Sequence, residues 1–196
     1  MLLLLSALSS CSNGSTGGGD TGPAPGADTG PLVDAGPLNV PDAYSSTDPN
    51  AALRATCIAE INRLRATRSL PAYSEWSGVG MCTDAQATSD ETNHMAHQAW
   101  SMRAGMCDGG GQNECEGQGA DIVGCLGQMW AERDQPGCAG CDACADAYDP
   151  NCPNCDFFGT TTGNVCGHYV NMSARYFTMA ACGFSSLGGW DVINFQ

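Results

Sequence analysis

The chain has 196 residues and a formal net charge of −14, and its seven basic residues are all arginine. Such an acidic chain is repelled by the phosphates of nucleic acids, so a nucleic-acid partner is excluded. The sequence also offers no cluster of basic residues of the kind that holds proteins on anionic lipid. Attachment to a membrane must therefore come from an acyl chain.

The N-terminus carries a short apolar run at residues 2–8. It is far shorter than the ~20 residues of a spanning helix and is typical of an export signal, although only Met1 precedes it. The Leu-Ser-Ser-Cys sequence that follows resembles the lipobox of bacterial lipoproteins and ends at Cys11. The resemblance implies a signal peptide at residues 1–10 and acylation of Cys11. Because Ser12 differs from the Asp that retains many lipoproteins at the inner membrane, we expect a lipid-anchored protein of the bacterial cell envelope, with the outer membrane or surface preferred.

Residues 11–49 are dominated by Gly, Pro, Ser, Thr and Asp. Such a segment cannot bury enough apolar surface to offset its ordering entropy, which predicts a disordered spacer behind the acylated Cys. The remaining residues, 50–196, suit one compact domain.

The 13 cysteines indicate the redox compartment. With Cys11 acylated, an even set of twelve remains, and in an oxidising compartment these are expected to form disulfides whose pairing the sequence does not reveal. A stretch at about 134–163, rich in Cys, Asp, Gly and Pro, is predicted to be a long loop held by disulfides. Its Cys-x-x-Cys spacings leave zinc or an iron–sulfur cluster as an alternative, and its aspartates leave calcium.

The first predicted helix spans residues 50–66. Its inward positions recur at spacings of four, four and three: Leu53, Cys57, Ile61 and Leu64. Three arginines at or just beyond the C-terminal end of this helix are expected to lie largely on its solvent side: Arg63, Arg65 and Arg68. A short extended piece at 72–76 follows Pro71.

A second helix is predicted from Gly80 or Met81 to about His97, and a third over 120–132. Small residues are expected to face inward from the second helix: Cys82, Ala85, Thr88 or Ser89, Thr92 and Ala96. Apolar residues are expected to face inward from the third: Ile122, Leu126 and Met129 or Trp130. Two terminal strands, 176–184 and 190–195, flank a Gly-Gly pair that favours an antiparallel turn.

Five short motifs then follow one another in an order seen in one known family. They lie at residues 60–65 (with Asn-x-x-Arg), 97, 111–113 (Gly-Gln-Asn), 129–132 (Met-Trp-Ala-Glu) and 167–172 (Gly-His-Tyr-Val-Asn-Met), the last followed by Ala-Cys-Gly at 181–183. Together they resemble the CAP superfamily, also called SCP/TAPS, which includes cysteine-rich secretory proteins and antigen 5. The resemblance covers residues 50–196 and implies an α+β fold, an α/β/α sandwich with a small, mostly antiparallel sheet.

In that family a central cleft collects two His and two acidic residues. The matching positions here are His97, Gln112, Glu132 and His168. Two imidazoles can bind zinc, and a carboxylate can orient an imidazole or activate bound water. Gln112 stands in place of one acid and cannot act as a base, although Glu114, two residues on, could partly substitute. His94 and His97 form a further possible chelating pair at i and i+3.

These residues leave three hypotheses open. The first is a binding module for a lipid or protein ligand, and not an enzyme. The second is a zinc-dependent hydrolase whose catalytic candidates are His97, His168 and Glu132. The third is a structural envelope protein whose disulfides serve only durability. For the cleft itself, a polar network that bridges helices and sheet is an alternative to a metal site, and its members are His97, Gln112, Glu114, Glu132 and His168.

Overall fold

The computed structural model describes residues 48–102, 107–118 and 121–196. The predicted signal peptide, Cys11 and nearly all of the spacer lie outside these residues. The described elements are, in chain order, α1 (Ala51–Ala66), β1 (Ser74–Glu75), α2 (Gly80–Asn93), α3 (Gln98–Ser101), β2 (Gly111–Glu116), α4 (Ile122–Ala131), α5 (Gly167–Ser173), β3 (Met179–Phe184) and β4 (Trp190–Phe195). In these ranges, no helix combines the length and apolar character needed to cross a bilayer.

The four strands form one mixed sheet in the order β1-β3-β4-β2. β4 pairs antiparallel with both β3 and β2, while the two-residue β1 runs parallel to β3. The predicted antiparallel pair at the C-terminus is therefore confirmed, as is a small sheet that is mostly antiparallel. β2 forms one edge of the sheet.

Helices cover both faces of this sheet. Cys182 of β3 is bonded to Cys57 of α1. The next residue, Gly183, faces α2 so closely that a Cβ there would lie 2.3 Å from the backbone of Thr83. Because neighbouring strand residues point to opposite faces, α1 and α2 lie on opposite sides of the sheet. The fold is mixed α/β with three layers.

The main apolar core lies between the sheet and the layer formed by α1, α4 and α5. Ile61, Leu126, Met172, Ile193 and Phe195 are fully buried there. Burying one such side chain contributes roughly 1.5–3 kcal/mol. The predicted inward positions of α4 are buried, as are Cys57, Ile61 and Leu64 of α1, while Leu53 is half-buried against the same core.

Arg65 corrects the prediction that the arginines of this region face solvent. Its side chain is 1% exposed and donates to the carbonyl oxygens of Pro71 (2.7 Å), Met172 (2.6 Å) and Ala174 (2.9 Å). Its guanidinium also lies 3.5 Å from the centroid of the Tyr73 ring. Backbone carbonyls that a sequence pattern cannot reveal therefore make burial of this cation favourable.

The second helix is shorter than predicted and buries a different face. α2 ends at Asn93, because His94 adopts a left-handed conformation (φ 50°) and the chain turns before α3. Its buried residues are Thr83, Gln86, Ala87 and Asp90, whereas the predicted inward residues Ala85 and Thr92 are exposed. The prediction followed side-chain size, but the helix packs through polar groups that find partners on the sheet.

Twelve cysteines form six disulfides, which confirms the expected even set. The pairs are Cys57–Cys182, Cys82–Cys107, Cys115–Cys125, Cys138–Cys166, Cys141–Cys155 and Cys144–Cys152. The last three lie in the predicted loop at 134–163, which is here called the Cys-rich segment. Two of them link residues within this segment, and Cys138–Cys166 links it to the start of α5. Because these sulfurs are bonded in pairs, they do not form the alternative zinc or iron–sulfur site.

The aspartates of the Cys-rich segment already have partners within the protein. Asp142 accepts from Arg68 and Tyr169, and Asp146 from Arg175. Asp156 accepts from the backbone of two threonines in its own loop. The described residues hold no group of three acidic ligands that would suit calcium.

Candidate functional site

The five predicted cleft residues gather along β2, the edge strand. Gln112 and Glu114 share the face of this strand that looks toward α2, and both contact His97. Asn113, on the opposite face, donates to the carbonyl oxygen of His168 over 3.0 Å. The two histidines are thus attached to opposite faces of one strand.

His97 lies in a tight turn between α2 and α3. Its backbone is left-handed (φ 60°), a conformation that costs a non-glycine residue about 1 kcal/mol or more. Two buried carboxylates hold the turn: Glu114 Oε2 accepts from the His97 amide over 2.7 Å, and Asp90 Oδ1 accepts from the Ala99 amide over 2.7 Å. The position of the imidazole therefore depends on both acidic side chains.

A chain of amides fixes the tautomer of His97. The carbonyl oxygen of Cys107 can only accept, so the Asn194 nitrogen that lies 2.6 Å away donates to it. Asn194 Oδ1 must then accept from Gln112 Nε2, over 2.9 Å. Gln112 Oε1 is left to accept from His97 Nδ1, over 2.8 Å. His97 therefore carries its proton on Nδ1, and Nε2 keeps a lone pair.

A carboxylate fixes His168 in the same tautomer. Glu132 Oε1 lies 2.5 Å from His168 Nδ1, and Glu132 Oε2 accepts from the Tyr169 amide over 3.1 Å. An ionised carboxylate only accepts, so Nδ1 of His168 donates. His168 Nε2 is thereby left as the second lone pair of the cleft. The His168 side chain is 23% exposed and that of His97 is 40% exposed.

The electrostatics favour a neutral His97. Burial of the ring is the largest cause that lowers its pKa, and the hydrogen bond that its Nδ1 donates to Gln112 opposes this only in part. A carboxylate in place of Gln112 would favour the charged ring, whereas an amide oxygen accepts the Nδ1 proton without adding charge. With Gln112 as its partner, His97 therefore keeps an uncharged imidazole.

Glu114 does not take over the role of the missing acid. Its side chain is 1% exposed, and its Oε2 lies 3.9 Å from His97 Nδ1 while it holds the His97 amide. Burial, followed by the hydrogen bond and charge of Asp90, raises the pKa of Glu114. Glu114 Oε1 and Asp90 Oδ2 are buried without a donor from the described residues, and a proton on Glu114, which its raised pKa favours, would supply one.

The donor set of the cleft does not fit zinc. A catalytic zinc usually has three protein ligands. Within the described ranges, the only three side chains with ligand atoms mutually within 4.8 Å are Cys138, Cys141 and Cys166, whose sulfurs are bonded in disulfides. Glu132 is not a third ligand beside the two imidazoles, because it holds the Nδ1 side of His168.

His94 does not complete such a site either. It is exposed, and α2 ends before it, so His94 and His97 do not lie on one helix face as predicted. The structure therefore does not support the i and i+3 pair as a chelating site, and His94 faces solvent.

Several residues that build the cleft were missed from the sequence. Gln86 accepts from Asn194 and donates to Asp108, and Asn171 donates to Asn113. Asn194 gives the clearest signal that could have revealed them. It is a fully buried amide between the apolar Ile193 and Phe195, and a buried amide requires partners.

Comparison with known proteins adds no assignment: neither a protein-family model nor a curated protein sequence matches this chain.

Proposed function

We propose that this protein is an exported, lipid-anchored CAP-type domain that serves as a binding module and not as an enzyme. The three-layer arrangement, the order of the five motifs and the meeting of their polar side chains at one edge strand support a CAP-type fold. The six disulfides fit an oxidising compartment outside the cytosol. The acyl chain on Cys11 would hold the domain at the bacterial envelope, with residues 12–49 as the spacer.

The observation that carries this proposal is the hydrogen bond between His97 and Gln112. It places a neutral amide where the related cleft has an acid, and it ends a chain of amides in which each atom already has a partner. Burial lowers the pKa of His97, which makes its ring a weaker general base than an ordinary imidazole. Its Nε2 lone pair is suited to accept a hydrogen bond from a ligand.

The preferred ligand carries hydrogen-bond donors and no net negative charge. Both histidines offer Nε2 lone pairs, and Glu116, whose pKa is raised by burial, adds a carboxyl group at the end of β2. The chain as a whole carries a charge of −14. A lipid with hydroxyl or amino groups, or a basic protein surface, meets these requirements.

Native mass spectrometry of the envelope-extracted, full-length protein tests the proposal. We expect a non-covalent adduct on the wild type that His97→Ala and His168→Ala both lose. Arg63→Ala is the matched control, because Arg63 is 64% exposed and paired only with Glu60 on α1. The mass of the adduct distinguishes a lipid from a polypeptide. An adduct that survives both cleft substitutions contradicts the proposal, and no adduct on any variant favours a structural envelope role.

Attachment is tested separately by intact mass and by washing of membranes. We expect the wild type to carry an acyl mass and to resist extraction with salt. Cys11→Ser should lack the acyl mass and enter the soluble fraction. A wild-type mass without lipid would contradict the anchor while leaving the cleft unaffected.

A zinc-dependent hydrolase remains the second candidate because of one contact, the His168–Glu132 pair. A carboxylate on Nδ1 makes the other ring nitrogen a better ligand or base. Zinc retained in stoichiometric amount, together with ester hydrolysis that His168→Ala abolishes, would favour this candidate. The incomplete donor set places it second.

A further inference from the structure

Two disulfides of the Cys-rich segment lie against each other. Cys141 is bonded to Cys155, and its Sγ lies within 4.8 Å of both sulfurs of the Cys138–Cys166 bond. Thiol–disulfide exchange proceeds when a thiolate reaches one sulfur of a disulfide. The folded protein thus holds a potential thiolate beside a disulfide that it could attack.

We propose that these four cysteines form a thiol–disulfide exchange relay that responds to small exported thiols. In the first step an external thiolate bonds to Cys155 Sγ, the Cys141–Cys155 bond breaks, and its electron pair remains on Cys141. In the second step the Cys141 thiolate bonds to Cys138 Sγ, and the Cys138–Cys166 bond breaks. Cys166 keeps that electron pair and takes up the proton that the external thiol released. Two disulfides exist before and after, so no oxidant or reductant is consumed.

The surface around the relay gives the first step its direction. Cys155 is 7% exposed and lines an open groove with a volume of about 890 Å³. Cys141 and Cys166 are fully buried. An external thiol therefore meets Cys155 before either of them, which leaves Cys141 as the leaving thiolate.

The Cys138–Cys141 disulfide that forms in the second step is compatible with the geometry of the backbone. The Cys141 amide donates to the Cys138 carbonyl oxygen over 3.1 Å, so residues 138–141 form a turn. The Cα atoms at the ends of such a turn lie less than about 7 Å apart. A disulfide needs a Cα separation of about 4.4–6.8 Å. A Cys138–Cys141 bond therefore requires little movement of the main chain.

The relay would also act on the cleft. Cys166 immediately precedes α5, and its carbonyl oxygen accepts from the Val170 amide over 3.0 Å. Breaking the Cys138–Cys166 bond removes the covalent link that holds the start of the helix that carries His168. We expect faster amide hydrogen exchange in Gly167–Ser173 once the relay has acted.

Cys155→Ser starts the relay without an external thiol, because it leaves Cys141 unpaired. The full-length variant is incubated at mildly alkaline pH and quenched with acid. Its free thiol is then labelled in denaturant and located by peptide mass spectrometry. We expect the label to shift from Cys141 to Cys166, with a new Cys138–Cys141 bond. Label that stays on Cys141 in the folded variant overturns the proposal.

Cys152→Ser is the matched control. It leaves Cys144 as the odd thiol in the same segment, and Cys144 is not part of the sulfur cluster. We expect its label to remain on Cys144. Label that spreads over the segment in this control as well would mean unspecific shuffling, and would overturn the relay.

Wild-type protein with limiting glutathione gives a second test that does not depend on folding of a variant. We expect glutathione on Cys155 and the free thiol on Cys166. Glutathione on Cys155 with the free thiol on Cys141, or glutathione bound elsewhere, overturns the proposal.

Discussion

The two histidines of the cleft adopt the same tautomer but are held by different chemistry. His97 is held by the amide of Gln112, which is itself fixed by Asn194, and His168 is held by the carboxylate of Glu132. An amide orients a ring without adding charge, whereas a carboxylate orients it and brings a negative charge to the same place. The comparison shows that one cleft can offer two lone pairs while only one of its rings has an acidic partner.

The largest expected effect is on the His168 side, from Glu132→Ala. The substitution leaves His168 Nδ1 and the Tyr169 amide without their acceptor in a site where the Glu132 side chain is 11% exposed. We expect the free energy of unfolding to fall by about 3 kcal/mol, measured by urea denaturation. Glu132→Gln keeps an acceptor and should lose clearly less. Equal losses for both substitutions would show that the hydrogen bonds do not hold this side.

On the His97 side, Asn194→Ala removes the middle of the amide chain. Asn194 is fully buried, and its loss leaves the Cys107 carbonyl oxygen and Gln112 Nε2 without their partner. We expect a loss of about 2–3 kcal/mol in the free energy of unfolding. Asn151→Ala, at an exposed site, is the control and should stay within about 0.5 kcal/mol of the wild type. A loss no larger than this control would contradict the chain of amides.

The buried carboxyl group of Glu114 behind His97 predicts a pH dependence of stability. Because the pKa of Glu114 is raised above its ordinary value of 4.5, the folded state binds more protons than the unfolded state above that pH. The free energy of unfolding should therefore fall as pH rises, by at most about 2 kcal/mol between about pH 7.5 and 9 for one proton. Glu114→Gln should flatten this slope.

A second buried acid, Asp191, contributes a pH dependence of stability in a different pH range. Burial raises the pKa of Asp191 to about 7, so its contribution to stability is lost mainly between its ordinary value of 3.8 and about 7. Asp191→Asn should therefore flatten the slope below neutral pH and leave the alkaline part unchanged. An unchanged alkaline slope in Glu114→Gln would contradict the proton on Glu114.

Gln112→Glu is expected to have the smallest effect on stability. It nevertheless tests the difference between the two histidines most directly. This substitution makes the two sides alike. It should raise the pKa of His97 by about 1–2 in an NMR titration. It should also cost about 1–2 kcal/mol, because the new carboxylate faces the acceptor oxygens of Gln86 and Asn194. A His97 that titrates as in the wild type would show that residue 112 does not control its charge.

The sequence predicts most clearly the parts of the fold whose apolar residues recur at a regular period. α1, α4 and the terminal strands carry this pattern, and their positions were expected within a few residues. β2 was not predicted as a strand, because its Gln-Asn-Glu-Cys-Glu sequence has no apolar alternation. The burial of Arg65 and Gln86 was also hidden, since it depends on partners that are far away in the chain.

The candidate site was likewise predicted only in part from the sequence. The motifs identified His97, Gln112, Glu132 and His168 as residues that meet, and the structure brings them to one strand. Their roles depend on hydrogen-bond direction, which the motifs do not contain. Gln112 was expected to weaken the site as a missing acid, but the Cys107 carbonyl oxygen shows that it is the last member of an oriented chain.

The most direct test of the central claim is a long-range ¹H–¹⁵N NMR spectrum of the three imidazoles in the folded protein near neutral pH, assigned with His94→Ala and His97→Ala. The account predicts that the neutral rings of both His97 and His168 carry their proton on Nδ1 and not on Nε2, since an amide oxygen and a carboxylate each accept from Nδ1. A proton on Nε2 of either ring, with Nδ1 bare, would contradict it.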